Sequence, residues 1–140
     1  MRFETTNYFK NNHSYKHVLS FGTFYLCENF YVAEINEGAH VDYENLKELM
    51  QDLVSFYGKN SKIGVIANRI NAYSTNPQSF NKIDAEFNIV SASAFVLYSD
   101  LAFGNASIEK MITNKSIKRC ESLDEAIEWI SNLEELVLKS

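Results

Sequence analysis

The chain is poor in the residues that punctuate or staple a fold. Its 140 residues include one proline, two cysteines, five glycines and three histidines. A single proline argues against a linker-rich or disordered chain. Cys27 and Cys120 stand far apart, with no CxxC and no Cys/His ligand spacing. No metal site is therefore expected, and both thiols read as small buried hydrophobes. His13, His17 and His40 form neither an HExxH motif nor a cluster, which disfavours histidine-based metal or nucleophilic chemistry. Gly22, Gly38, Gly58, Gly64 and Gly104 are too dispersed for a GxGxxG or Walker loop, which disfavours a nucleotide-dependent enzyme.

Positive charge and long apolar runs are also scarce. The net charge is −5, and the basic residues are scattered apart from the short run Lys115, Lys118, Arg119. Such a chain has no general attraction for phosphate backbones, and a nucleic-acid partner is not expected. No stretch approaches the roughly 20 apolar residues that span a bilayer. The start, MRFETTNYFKNN, carries no apolar core of a signal peptide. The expected setting is the cytoplasm of a bacterial cell, with no membrane span and no cofactor.

What is present is a chain 46% apolar and 22% charged, long enough to bury one core. Residues 1–16 are polar and aperiodic and read as a loosely ordered segment whose Phe3, Tyr8 and Phe9 can dock on the body of the domain. Residues 17–140 read as one domain. HVLSFGTFYLCE and FYVAEIN, rich in β-branched and aromatic residues, form a hairpin signal in which Gly22 marks a bulge. In HVDYENLKELMQDLVSFYG, the apolar positions Leu46, Leu49, Met50, Leu53 and Val54 share one helical face, with Asp42 as cap and Gly58 as stop. KIGVIAN and IVSASAFVLYS read as strands covered on both faces. PQSFNKIDAEF opens with Pro77 and reads as a helix, DLAFGNASIEKMI as a further helix, SIKRC as a short strand. SLDEAIEWISNLEELVLKS reads as a C-terminal helix with Ser122 and Glu125 at capping-box spacing.

The fold class is thus α/β, with order β-β-α-β-α-β-α-β-α and a mostly parallel central sheet whose N-terminal hairpin is antiparallel. The first strand leaves an open sheet edge, which allows a homodimer.

One stretch stands out. NRINAYSTNP follows an inner strand and leads into the helix at Pro77, the place where open α/β sheets hold ligands. Arg69 can bind an anion, Asn68, Asn71 and Asn76 can donate and accept, and Tyr73, Ser74 and Thr75 complete a candidate interaction or regulatory loop. The bland alternative is that these groups bond the loop's own backbone while Tyr73 packs down. Ser99, Asp100 and Asn105, after the next inner strand, form a candidate second wall. No catalytic residue is assigned.

This order of elements, in an acidic chain of this size, resembles the STAS family of sulphate-transporter and anti-sigma-factor-antagonist domains, in its single-domain bacterial STAS/SEC14 or SpoIIAA-like branch. The resemblance spans roughly His17 to Leu138 and rests on FYVAEINEGAHVDYENLKEL, IGVIANRINAYSTNP and SIKRCESLDEAIEWI. It implies a non-enzymatic regulatory or protein-interaction module. In antagonist-type members a phosphorylatable serine lies in an aspartate-serine-serine-glycine context. That place falls in or near Ser74 and Thr75, where AYSTNP lacks both the aspartate and the glycine. The SEC14-like side implies an alternative, a small apolar, lipid-like ligand held between sheet and helices, with Tyr57, Phe80, Phe87, Phe95, Tyr98 and Phe103 as candidate lining.

Overall fold

The computed structural model describes residues 1–98 and 116–136. The expected second wall (Ser99, Asp100, Asn105), Phe103 and the expected helix over 100–112 lie outside the described residues. A 3₁₀ turn, Phe3–Thr5, and α1, Asn7–Asn11, lead into β1 (Tyr15–Leu19), β2 (Gly22–Leu26), β3 (Phe30–Ile35) and β4 (His40–Val41). There follow α2 (Tyr43–Tyr57), β5 (Ile63–Arg69), β6 (Ser74–Thr75), α3 (Pro77–Phe87) and β7 (Val90–Leu97). After the undescribed residues come β8 (Ser116–Cys120) and α4 (Leu123–Ser131).

The six-stranded sheet has order β1-β2-β3-β5-β7-β8, and β4 and β6 form a separate parallel pair. Strands β1, β2 and β3 are antiparallel, and β3, β5, β7 and β8 run parallel. The α/β class and the mixed sheet are as the sequence implies. The hairpin is longer by one strand, because HVLSFGTFYLCE is not one bulged strand. It turns at Ser20 and Phe21, with Leu19 opposite Gly22. Gly22 is needed there for close approach: a Cβ on it would lie 2.9 Å from the Glu34 carbonyl oxygen of β3.

Period-two alternation sends the sheet's side chains to two cores. On one face Tyr31, Ile35 and Ile63 pack with Leu46, Leu53 and Ile83 of α2 and α3. On the other, Val32, Ile66 and Ala94 pack with Leu123, Ala126 and Ile130 of α4. That helix sits directly on β5, since a Cβ at Gly64 would stand 2.3 Å from Ile130 Cδ1. The helix starts follow their caps. Asp42 and Asn45 form a reciprocal capping box on α2, Asn76 accepts from Gln78 N–H ahead of Pro77, and Ser122 accepts from Glu125 N–H. The described part of α4 ends at Ser131, earlier than the apolar stripe suggests.

The N-terminal segment is more ordered than the loose tail its composition predicts, and Phe3, Tyr8 and Phe9 dock on the body as expected. Phe3 is fully buried, its ring 5.0 Å from Tyr25 and 5.7 Å from Phe9, so the aromatics anchor the segment to the α4 face. The physical reason is apolar burial of large rings, roughly 1.5–3 kcal/mol each, which outweighs the polar composition between them. Cys27 and Cys120 are both buried in the same core.

Candidate functional site

The carboxyl ends of β3, β5 and β7 present different chemistry on the two faces of the sheet. Consecutive residues of a strand point opposite ways, so Asn68 and Arg69, neighbours in NRINAYSTNP, belong to different sites.

On the α4 face, Asn68 is 1% exposed and Glu34 is 4% exposed. Asn68 Nδ2 donates to Glu34 Oε2 at 2.8 Å and to the Met1 carbonyl at 2.8 Å, while Asn68 Oδ1 accepts from the Tyr98 hydroxyl at 2.7 Å. Phe3 N–H donates to the same Glu34 oxygen at 2.7 Å. The donors fix the amide's orientation, because the flipped amide would set an oxygen against the carboxylate. Burial, then the Glu34 charge, pushes the Tyr98 phenol up to about 12. Glu34 Oε1 is buried and unpartnered among the described residues. Glu34 and Tyr98 were not part of the candidate loop. The signal for Glu34 was an acid inside FYVAEI, a strand apolar on both faces. Its burial by residues 1–3 is a contact across 31 positions that no local pattern carries.

On the α2/α3 face the loop residues come together in a mixed way. Arg69 stacks over the Tyr73 ring at 4.5 Å, and burial raises the Tyr73 phenol against the opposing pull of Arg69. The other groups largely tie the loop to its surroundings. Asn71 Nδ2 donates to the Ile35 carbonyl at 3.0 Å, and Glu37 Oε2 accepts from Ala72 N–H at 2.8 Å. Ser74 and Thr75 pair in parallel with His40 and Val41, and Asn76 caps α3. Ser74 is exposed, with its Oγ 2.7 Å from His40 Nδ1. Both hydroxyl residues precede the α3 cap, so neither lies within the first turn of that helix.

Beneath the loop, between the sheet and α2 and α3, lie two adjoining apolar spaces of about 90 and 100 Å³. Tyr31, Leu46, Val65, Phe80 and Ser93 line both. Arg69, Tyr73 and Thr75 of the loop line the second. Ser93 is 0% exposed, and its hydroxyl has no partner among the described residues. Of the aromatics expected at such a cavity, Phe80, Phe87 and Phe95 line these spaces. Tyr57 instead donates to the Cys27 and Phe30 carbonyls at 2.7 and 2.8 Å, and Tyr98 serves the opposite face. Among the described residues no three His, Cys, Asp or Glu side chains gather as a metal site would, and no helix is long and apolar enough to cross a membrane.

This architecture is similar to that of the crystal structure of an uncharacterised protein of the DUF3478 family with a SpoIIAA-like fold from Shewanella loihica. The two superpose with a TM-score of 0.53 at 11% identity, over 84% of this chain and 92% of that one. The likeness establishes a SpoIIAA-like fold. No family model and no curated protein matches the sequence.

Proposed function

We propose that this SpoIIAA-like domain is a binding module, not a catalyst. Its site is the apolar space between the sheet and α2/α3, and Arg69, Tyr73 and Thr75 of the loop form its rim. One observation carries the reading: a fully buried hydroxyl, Ser93, faces apolar space that the loop residues Arg69, Tyr73 and Thr75 also line. Buried polar groups without partners are few in a native fold, and one facing a cavity suits an occupant that completes it. The phenols at the wall, Tyr31 and Tyr73, are neutral as phenols ordinarily are near pH 7, and burial pushes both further up. Ligand occupancy would then set the shape of the rim that a regulatory partner meets.

A protein partner switched by modification is the second reading, favoured by the exposed Ser74 hydroxyl beside His40. Mass spectrometry of the protein from its native host, under native and then denaturing conditions, separates the two. The cavity reading expects a non-covalent mass that is lost on denaturation and absent from the space-filling variant Val65→Phe. A bare mass throughout, or equal ligand in that variant, would overturn it. A covalent phosphate on Ser74 would move the function to the loop surface.

A further inference from the structure

We infer that the space under the loop takes a small carboxylate amphiphile, a short chain or a single ring, with its acid group on Arg69 and its far end near Ser93. The inference rests on the cavity reading above and names its ligand class.

The two ends of the site differ in chemistry. At the inner end, the Ser93 hydroxyl is buried and without a partner among the described residues, with both donor and acceptor capacity to offer. At the outer end, Arg69 is half-buried over Tyr73, with no acidic side chain at ion-pair distance among the described residues. A guanidinium held on an aromatic face and partly out of water favours a planar anion such as a carboxylate, which accepts two parallel hydrogen bonds. Between the ends the wall is apolar, including Val65, Ala67, Phe80 and Phe95. Asp84 lines the inner space, so an anionic head is directed toward Arg69 and away from that carboxylate.

The dimensions set the ligand's size. Ser93 is in register with Val65, four residues before Arg69 on the same strand, so the two Cα rows are about 13 Å apart at ~3.3 Å per residue. The Arg69 side chain shortens that span. A cavity of about 150 Å³ holds benzene, and the two adjoining spaces of about 90 and 100 Å³ are together of that order. A chain of about six to eight carbons or one ring fits that volume, whereas a diacyl lipid does not.

The test is calorimetric titration of the whole protein with octanoate, octanol and octanoate bearing a terminal hydroxyl. Octanoate is expected to bind about tenfold more tightly than octanol, the effect of one charge-assisted pair. Arg69→Gln should bring octanoate affinity down to about that of octanol in the same variant, and Arg69→Lys should restore part of the preference. The terminal hydroxyl should improve binding to the natural sequence and not to Ser93→Ala. Equal affinity for octanoate and octanol, or indifference to Arg69→Gln, would overturn the carboxylate assignment and leave the cavity reading standing. No benefit from the terminal hydroxyl would overturn the Ser93 end. Binding of none of the three would overturn both the assignment and the cavity reading.

Discussion

At the carboxyl end of its sheet the domain finishes its two faces in contrasting ways. On the α4 face residues 1–3 close over Glu34 and Asn68, and hydrogen bonds link strand, tail and Tyr98 into one network. On the α2/α3 face, one strand position away, the surface is apolar, space remains, and the Ser93 hydroxyl has no partner among the described residues. The first arrangement suits a structural closure, because Glu34 Oε2 takes two donors, Phe3 N–H and Asn68 Nδ2, that bind the tail to the sheet, although Oε1 has no partner among the described residues. The second suits a receptor, because the wall is already desolvated and one polar group is left over. The face richer in polar chemistry is thus the one assigned to stability, and the plainer face carries the binding proposal. Three substitutions probe that division.

The largest effect is expected at Phe3. Its ring is fully buried among Tyr8, Phe9 and Tyr25, and its N–H serves Glu34. Phe3→Ala should destabilise the domain by about 3–5 kcal/mol, the usual range for removing a buried phenylalanine. Urea denaturation measures it. A second readout follows from the thiols of the same core, Cys27 and Cys120, which burial pushes up to about 12 and about 11. Both should resist a thiol reagent at pH 8 in the native protein, since the thiolate is the reactive form. Both should react faster in Phe3→Ala as that face opens. A change of less than about 1 kcal/mol, within reach of ordinary surface substitutions, would make the tail an ornament and break the contrast between a closed face and an open one.

Next in size is Asn68→Ala. The substitution leaves Glu34 Oε2 with the Phe3 N–H as its remaining donor among the bonds described, and leaves the Met1 carbonyl without its amide partner. Removing one partner from buried polar groups costs about 1–3 kcal/mol. Binding at the opposite face should be untouched. If Asn68→Ala instead weakened ligand binding at unchanged stability, the two faces would act as one site and the loop reading drawn from the sequence would regain Asn68.

How far the sequence foretold this division depends on the range of the signal. Helix α2 was legible because its apolar stripe, the Asp42 cap and the Gly58 stop are all local, and the inner strands were legible as short apolar runs. The alternating strand and helix order then implied the parallel sheet. The turn at Ser20 and Phe21 was missed because it carries no Asn-Gly or Asp-Gly pair, and an unbroken apolar run conceals a two-residue turn. NRINAYSTNP lies at the carboxyl end of β5, but Asn68 and Arg69 belong to that strand and Ser74 and Thr75 form β6, so only part of it is loop. Strand alternation already separated Asn68, in phase with Ile66, from Arg69, in phase with Val65. Glu34 was not legible, because its partners lie at the far N-terminus and in another strand. Nor was the space beside Ser93, since small residues in IVSASAFVL signal close helix approach as readily as a gap.

The smallest effect, and the one of opposite sign, is expected at Ser93. On the closed face Phe3→Ala and Asn68→Ala each remove packing or a hydrogen-bond partner. Here the hydroxyl has none among the described residues, and a buried group without a partner has lost its water for nothing in return. Ser93→Ala should therefore raise stability in the ligand-free protein by about 1 kcal/mol, a shift of roughly 3 °C in Tm for a domain of this size. Differential scanning calorimetry on delipidated protein reads it directly. A loss of 1 kcal/mol instead would mean that Ser93 is satisfied within the fold, and the open face would then be as self-contained as the closed one. With ligand present the sign should reverse for a guest that bonds the hydroxyl. Stabilisation of the empty protein and destabilisation of the loaded one by the same substitution would distinguish a receptor from a packing defect.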